Sequence, residues 1–440
     1  MARNWSSRRV ASRVLVGALV AAGLAATGSA PAGAATSLYV DRANPACTDS
    51  GTGSATQPYC TIVKAAKVAT ADTTVFVASG TYAGNVSVSN SGAAGAPITL
   101  TAAPGATVVV QGGTNGFKVS SRSYVTINGF TVTGTTSYGI YLSGASHLAV
   151  TNNRVTLSGQ PLSGSTKAGI RLSGTTASTI SGNTTDHNSD AGIYASSSSN
   201  GNVFSHNVSY ANARGYVRAA AGIDVRGSTG NLLDGNVVHD NEDSGLNIWS
   251  TATGTLAINN VSYDNGDHGI DVHNTTSARV IANTIVGNFD SGIEFTGSPS
   301  GTTANNVSAD NGFGNRTHGD LRVDSSSRTG ISLDFDLVYL GVSGTVVYWA
   351  GTSYSSLSAF QAATGQEASG LSGDARFRDR AAADFHLTAG SPAIDSANSG
   401  LSGAPATDFD GAARVDDPTT VDTGIGPRSY DDRGAFEFLG

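Results

Sequence analysis

Charged side chains are scarce in this sequence and make up 13% of its 440 residues, against roughly a quarter in average globular domains. Lysine is absent after Lys167, and acidic residues outnumber basic ones by 33 to 25. A basic surface of the kind that binds nucleic acid is therefore not expected. To bind an acidic polymer, the chain would need a bridging cation or a local basic patch.

Long apolar runs are missing beyond the N-terminus. Residues 1–34 combine an arginine-rich start, an apolar run over residues 14–26 and an Ala-Gly-Ala segment at residues 32–34. This three-part pattern is typical of a secretory signal peptide, and the apolar run is too short to span a bilayer. We therefore predict a secreted, extracellular protein that has no membrane-spanning segment and is a monomer.

Cysteine is nearly absent, since the chain contains only Cys47 and Cys60. In an exported protein, two cysteines so close in sequence favour a disulfide over a metal site. We predict that this disulfide closes a short loop as a local staple.

In place of charged residues, the sequence is rich in glycine, serine, threonine and asparagine. Some of these residues recur with a period of about 23–30 residues. One column pairs a glycine with a following apolar residue, at Gly139, Gly169, Gly192, Gly222, Gly245, Gly269 and Gly292. An asparagine column keeps step with it, at Asn153, Asn183, Asn207, Asn236, Asn260, Asn283 and Asn306. A second asparagine column comprises Asn188, Asn212, Asn241, Asn265, Asn288 and Asn311.

These columns predict an all-β protein, a right-handed parallel β-helix. In a stack of parallel coils, equivalent residues lie about 4.8 Å apart along the axis. Asparagine tolerates the left-handed backbone of a sharp bend, and its amide both donates and accepts, so that stacked side chains can bond from coil to coil. Short apolar runs between the bends would supply the core.

The period divides the chain into four parts. They are a signal peptide (1–34), an N-terminal cap with the first coils (35–96), the parallel β-helix (97–325), and a C-terminal cap with a closing segment (326–440). Short amphipathic helices are predicted at 62–71 and 354–366, where they would cover the open ends of the stack. Two coils carry insertions, at 160–167 and 213–220, which are expected to form loops on one face.

Polar residues concentrate on the predicted outer face between Asp224 and Glu294. Strand residues alternate between inward and outward positions, so the residue after each Gly-Ile pair should point to solvent. One outward column then carries Tyr194, Asp224, Asn247, Asp271 and Glu294. A second outward column carries Arg226, Trp249 and His273. We interpret this face as the candidate site.

Asp243 and Asp267 hold equivalent positions in successive coils, so their carboxylates should lie about 5 Å apart. Two ionised carboxylates at that distance repel, and either one is protonated or a cation lies between them. Asp271 and Asn247 add further oxygen atoms nearby. Such oxygens suit Ca²⁺, and we predict Asp243, Asp267 and Asp271 as its ligands.

Asp243 with the segment Asp-His-Gly-Ile-Asp at residues 267–271 resembles the calcium cluster of family 9 pectate lyases. That cluster places one Asp a full coil before an Asp-Asp-Gly-x-Asp motif. Asp267 and Asp271 match the motif, whereas His268 replaces its middle acid. The resemblance implies a secreted parallel β-helix that cleaves an acidic polysaccharide with the help of Ca²⁺.

The segment His-Gly-Ile-Asp-Val-His-Asn at residues 268–274 is also similar to the Tyr-Gly-Phe-Asp-Pro-His-Asp/Glu motif of mannuronan C5-epimerases. Gly269, Asp271 and His273 match that motif. This resemblance implies action on the same class of polymer. Both families begin by removing the C5 proton of a uronic acid; the lyase then loses the C4 oxygen, and the epimerase returns a proton to the other face.

The catalytic base of family 9 pectate lyases is a lysine downstream of the cluster, and this sequence has none there. His268 and His273 are the available bases near neutral pH. Arg226 and Arg218 could pair with the substrate carboxylate or act as the base.

The remaining candidates are assigned to substrate binding. Asp224, Asn247 and Glu294 would contact the sugar through polar atoms, whereas Trp249 and Tyr194 would stack on its rings. The leading hypothesis is a Ca²⁺-dependent lyase of a pectate-like or alginate-like polysaccharide. The alternatives are a C5-epimerase, a glycoside hydrolase that uses two of the acids, and a non-catalytic carbohydrate-binding β-helix.

Overall fold

The computed structural model describes residues 36–314 and 318–440, so the predicted signal peptide lies outside the described residues. The described chain forms three sheets of 12 strands each. We call sheet I the one whose strands follow the glycine column; the chain then passes through sheets II and III before it returns to sheet I one coil further on. Successive coils pair in parallel, for example Ile140–Ser143 with Ile170–Ser173. The predicted right-handed parallel β-helix is confirmed.

The strands are short, and their bounds follow the repeat. Sheet I comprises Val86–Ser87, Phe117–Ser120, Ile140–Ser143, Ile170–Ser173, Ile193–Ser196, Ile223–Arg226, Leu246–Trp249, His268–His273, Ser291–Thr296, Leu321–Val323, Val347–Trp349 and Thr352–Tyr354, the last of which pairs antiparallel. Sheet II comprises Thr36–Val40, Thr73–Val77, Ile98–Ala102, Val125–Asn128, Ala149–Thr151, Thr179–Ser181, Val203–Ser205, Leu232–Asp234, Leu256–Ile258, Arg279–Ile281, Thr302–Ala304 and Ser332–Asp334. Sheet III comprises Gly80–Ala83, Val108–Gln111, Phe130–Thr133, Arg154–Thr156, Thr184–Asp186, Val208–Tyr210, Val237–His239, Val261–Tyr263, Thr284–Val286, Val307–Ala309, Leu337–Tyr339 and Leu371–Ser372.

The core is a column of apolar side chains that runs the length of the stack. Ile223, Leu246, Ile270 and Ile293 lie in register on successive strands of sheet I, and all are fully buried. They belong to one continuous cluster that extends through the first and the last coils. Each coil therefore depends on its neighbours for burial, as expected for a solenoid.

Both asparagine columns form buried ladders, as predicted. In the first, the Nδ2 of Asn236 donates to the Oδ1 of Asn260, which in turn donates to Asn283, each at 2.9 Å. In the second, Asn241 donates in the same way to Asn265 at 3.0 Å. The ladders hold the bends between strands together, and they satisfy polar groups that would otherwise be buried without a partner.

Each ladder ends on an acid. The Nδ2 of Asn306 donates to Asp336 at 2.8 Å, and that of Asn311 donates to Asp320 at 2.9 Å. Burial raises the pKa of Asp320 well above its ordinary value. Glu367 lies against Asp336, and burial together with the Asp336 charge raises the pKa of Glu367 well above its usual range. The first ladder thus finishes on two adjacent carboxyl groups, and burial raises the pKa of both.

The predicted caps are present and slightly shorter than expected. The helices span Ile62–Val68 and Leu357–Thr364, and a disulfide joins Cys47 to Cys60. Strands of the solenoid continue to Leu371–Ser372, well past residue 325. Two 3₁₀ turns, Leu162–Gly164 and Arg380–Ala382, and one hairpin, Phe377–Asp379 with Asp384–Leu387, complete the elements. None of the described helices has the length and apolar character needed to cross a membrane.

The closing segment packs on sheet III and on the bend between sheets II and III. Phe436 packs with Val261 in an apolar cluster on sheet III. Gly434 donates its backbone N–H to the carbonyl of Asn305 at 2.7 Å. Arg414 and Glu437 form a buried ion pair at 2.9 Å within the segment. This part of the tail therefore covers the side of the solenoid formed by sheets II and III.

Candidate functional site on the outer face of sheet I

The first outward column of sheet I is buried rather than exposed. Asp224, Asn247, Asp271 and Glu294 lie in register on four adjacent strands, as the repeat predicts. Their exposed fractions are only 2%, 0%, 3% and 3%, respectively. Side chains of the neighbouring outward column and of the preceding bends cover them. Alternation alone therefore placed these residues on the correct face but predicted the wrong exposure.

Asp243 and Asp267 form a close carboxylate pair at the bends that precede two of these strands. The Asp267 backbone N–H donates to the Asp243 carbonyl at 3.2 Å, so the two residues are neighbours in successive coils. Burial and then Asp243 raise the pKa of Asp267 to about 7, against the opposing effect of the nearby His268. Two like charges held this close favour protonation of one of them.

Asp271 has one oxygen engaged and one oxygen without a partner. The indole N–H of Trp249 donates to Asp271 Oδ2 at 2.7 Å. Asp271 Oδ1 and both amide atoms of Asn247 are buried and make no hydrogen bond among the described residues. Burial, and after it the charge of Glu294, raises the pKa of Asp271 to about 8, although His268 opposes the rise. Buried polar atoms without a partner are costly.

His268 lies among these carboxylates. Its Nε2 is 2.5 Å from Glu294 Oε2 and 3.4 Å from Asp267 Oδ2, and its Nδ1 is 2.7 Å from the Ser291 hydroxyl. Burial is the largest influence and lowers the pKa of His268, but the hydrogen bond and charge of Glu294, with help from Asp271 and Asp267, raise it to about 9. Burial would raise the pKa of Glu294, yet His268 brings it down to about 2. The pair is therefore an imidazolium and a carboxylate at neutral pH.

The site also contains three residues that were not among the predicted site residues. Asp290 Oδ2 lies 3.8 Å from His268 Nδ1 and 2.6 Å from His318 Nδ1, and Arg322 pairs with Glu294. The 23-residue step from Asp267 to Asp290 was a usable signal. Arg322 was hidden because the coil between Glu294 and its partner in register spans 28 residues.

Arg226 is bound to Asp224 and stacked on aromatic rings. Its Nε lies 2.8 Å and its Nη2 2.7 Å from Asp224 Oδ2, and its guanidinium lies 4.3 Å from the centre of the Trp249 ring. Burial raises the pKa of Asp224 to about 6 despite the nearby guanidinium. His273 lies partly exposed on the strand after Trp249, with the two ring centres 5.1 Å apart.

Arg218 donates hydrogen bonds to backbone groups of the loops beside the site. Both predicted insertions lie between sheets III and I. Arg218 donates to the carbonyls of Ser163 at 2.9 Å and Ser189 at 2.5 Å, and also to that of Ser165. The guanidinium therefore joins the two insertions to each other and to the coil between them.

Basic and aromatic side chains continue the outer face toward the N-terminal coils. Lys118, Tyr141, Arg171 and Tyr194 lie in register on four successive strands, and we call them the basic strip. The guanidinium of Arg171 lies 3.9 Å from the centre of the Tyr194 ring. Because Tyr194 pairs in register with Asp224, the basic strip ends where the acidic column begins.

The repeat matches a known family. The family described as the right-handed β-helix region aligns with residues 78–261 and 217–335, more than half of the chain. The chain belongs to the right-handed β-helix family. Among curated proteins, the uncharacterized protein YwoF of Bacillus subtilis (strain 168) is 30% identical over 139 residues. That match covers 28% of this chain and 29% of YwoF, so the chain spans under a third of that relative.

Solved structures of other right-handed β-helix proteins share the architecture. The crystal structure of pectate lyase Pel9A matches with a TM-score of 0.56 at 19% identity, over 91% of this chain and 96% of that one. The complex of XylC with xylose matches with a TM-score of 0.53 at 14% identity, over 69% and 75% of the two chains. At these identities the likeness establishes the fold. It confirms the resemblance to pectate lyases at that level.

The donor set fits a hard divalent cation. The predicted ligands Asp243, Asp267 and Asp271, together with the Asn247 amide, offer oxygen atoms, three of them from carboxylates. In this part of the described chain, the group whose ligand atoms lie within 4.8 Å of one another is Asp267, His268 and Asp290. Ca²⁺ accepts six to eight such oxygens in irregular geometry. A bound cation would also favour the ionised forms of Asp267 and Asp271, which burial disfavours.

Proposed function

We propose that this protein is a secreted lyase that cleaves a uronic-acid-containing polysaccharide by calcium-assisted β-elimination. The observation that carries the proposal is the continuous outer face of sheet I, where the basic strip leads into a buried cluster of acids around His268. An elimination at C5 of a uronate needs both halves of that face. One half attracts the polyanion, and the other holds the groups that move protons.

The basic strip supports an anionic polymer as the substrate. The chain has a formal net charge of −8, so an acidic polysaccharide would be repelled except where positive charge is concentrated. Lys118 and Arg171 supply that charge in line with the acidic column, and Arg226 continues it. Tyr141 and Tyr194 alternate with them and can stack on sugar rings. The polymer would therefore lie along the solenoid axis.

Asp243, Asp267, Asp271 and Asn247 would hold Ca²⁺ beside the uronate carboxylate. When bound, the ion neutralises that carboxylate and so makes the neighbouring C5 proton more acidic. The Trp249 indole N–H keeps Asp271 in place by its hydrogen bond. All four ligands belong to two consecutive coils, which the asparagine ladders fix relative to each other.

Proton transfer is assigned to the two histidines in different roles. His268 is held protonated by Glu294, since the pKa of His268 is raised to about 9; it therefore fits an acid that protonates the leaving C4 oxygen better than the base considered from the sequence. His273 is partly exposed beside Trp249 and is assigned as the base that removes the C5 proton. Arg226 orients the substrate carboxylate from its position on Trp249.

The proposal is tested by incubating the secreted protein with pectate and alginate, with calcium or with a chelator. We expect an ultraviolet-absorbing unsaturated product that forms only with calcium, and a loss of at least 100-fold in its rate on His273→Gln. The matched control is His206→Asn, at an exposed position with a φ of 52° that asparagine tolerates; it should keep full activity.

Other products would identify the alternatives. Deuterium from heavy water at C5 without chain cleavage would indicate an epimerase, and new reducing ends without unsaturation would indicate a hydrolase. Binding of the polymer with no chemical change would refute the lyase and favour a carbohydrate-binding β-helix. Unchanged cleavage by His273→Gln would refute the assignment of the base.

A further inference from the structure

The closing segment contains a second group of carboxylates, remote in sequence from the sheet I site. Asp395, Asp416 and Asp422 each contribute an oxygen, and these oxygens all lie within 4.8 Å of one another. The residues come from separate turns of the tail and follow no repeat. Their proximity is therefore a product of how the tail folds.

Asp395 is fixed at the point where these turns meet. Its backbone N–H donates to Asp432 Oδ1 at 2.7 Å. Its carbonyl accepts the backbone N–H groups of Thr423 at 2.8 Å and Gly424 at 3.1 Å. Two other stretches of the tail are thus tied to the backbone of this residue.

The Asp395 carboxylate lacks the partners that its burial demands. The residue is 0% exposed, and its Oδ2 makes no hydrogen bond among the described residues. Within the described part of the chain, its Oδ1 accepts one hydrogen bond, a long one of 3.4 Å from the backbone N–H of Asp417. The charged side chains that act most strongly on it are Asp416, Asp422 and Asp417, which are all acids. A buried acid with a free oxygen, facing further acids, needs a cation.

We propose that Asp395, Asp416 and Asp422 bind a calcium ion that holds the turns of the closing segment together. The ligand set contains oxygen only, which suits hard cations. Ca²⁺ accepts irregular sets of six to eight oxygens, and water can fill the positions on the side where Asp416 and Asp422 are exposed. Mg²⁺ demands near-ideal octahedral geometry and fits such a site less well. The site is structural and does not depend on the proposed lyase activity.

The test uses the full-length secreted protein after treatment with a chelator. The Asp267→Ala variant removes the proposed sheet I site, so calcium that it still binds, measured by isothermal titration, reports on the tail. We expect one remaining site, whose affinity falls at least tenfold when Asp416→Asn and Asp422→Asn are added. Mg²⁺ should bind at least tenfold more weakly than Ca²⁺. The matched control, Asp374→Asn with Asp379→Asn, removes two exposed charges of the tail outside the cluster and should bind like its parent.

A thermal melt gives an independent readout. Calcium should raise the melting temperature of the Asp267→Ala protein, and the rise should be lost with Asp416→Asn and Asp422→Asn. The single change Asp416→Asn, at an exposed residue, is the milder variant if the double change impairs folding. The proposal is overturned if Asp267→Ala protein binds no calcium, or if the tail variants bind it with unchanged affinity and the same thermal rise.

Discussion

Replacing Glu294 by glutamine should lower the raised pKa of the His268 imidazole. In the native protein, Glu294 Oε2 lies 2.5 Å from the imidazole Nε2, and the pKa of His268 is raised to about 9 although burial opposes this. A rise from an ordinary 6.5 corresponds to about 3 kcal/mol in favour of the protonated form. Because the pair must also overcome the cost of burial, the attraction itself exceeds that figure.

Glutamine keeps the shape of Glu294 and removes its charge. Burial then becomes the dominant influence, and we expect the pKa of His268 to fall from about 9 to roughly 7 or below. The measurement is an NMR titration of protein with labelled histidine. The chain has eight histidines, and the signal of His268 is assigned as the one absent from His268→Gln.

The control for this titration is Glu242→Gln. Glu242 lies on the neighbouring coil, where its side chain accepts the backbone N–H of Ala220 at 3.0 Å, and it makes no ion pair with His268 among the described residues. The pKa of His268 should stay near 9 in this variant. A native His268 that titrates near 6.5, or a pKa that Glu294→Gln leaves unchanged, would refute the ion pair and with it the assignment of His268 as an acid.

Two further predictions concern stability. Ile270→Ala should lower the free energy of unfolding, measured by urea denaturation, by about 2–5 kcal/mol, because the side chain is fully buried. The control Ile425→Ala, at a half-exposed position, should change it by under about 0.5 kcal/mol. Equal effects of the two substitutions would contradict the assignment of Ile270 to the core. In chelator, the melting temperature should fall as the pH rises from about 5 to 8, because the folded protein holds protons on Asp267 and Asp271 up to pKa values of about 7 and 8 that the unfolded chain releases near 4. Glu294, with its pKa lowered to about 2, contributes stability that is fully present above pH 4.5 and is lost only as the pH falls below that value, so it does not oppose this trend. A melting temperature that rises over the window would exclude the raised pKa values.

The architecture was predictable because the same physical requirement recurs in every coil. Each bend needs a residue that tolerates tight geometry and bonds to the next coil, and asparagine leaves that signature at Asn236, Asn260 and Asn283. The register then placed Asp224 through Glu294 on one face. A periodic pattern needs no knowledge of side-chain conformations, which is why this level of structure could be derived.

The details of the site depend on contacts that no period encodes. The pairing of His268 with Glu294 is set by side-chain orientation, and Arg322 enters from a coil of irregular length. Burial of the outward column depends on what its neighbours cover, which alternation does not specify. The cluster around Asp395 arises where irregular turns meet, so nothing in its spacing marked it.

The asparagine ladders have a direction, and their acidic ends give the solenoid a defined length. Each asparagine of a ladder accepts a hydrogen bond from the preceding coil and donates one to the following coil. A coil inside the ladder can therefore be duplicated or deleted without leaving an amide group that lacks a partner. Asp336 and Asp320 accept the amide N–H of the last asparagine in each ladder, but a carboxyl side chain has no N–H to donate to a further coil. Gain or loss of whole coils during evolution is therefore compatible with the interior of the ladders, whereas the acids fix where the stack stops.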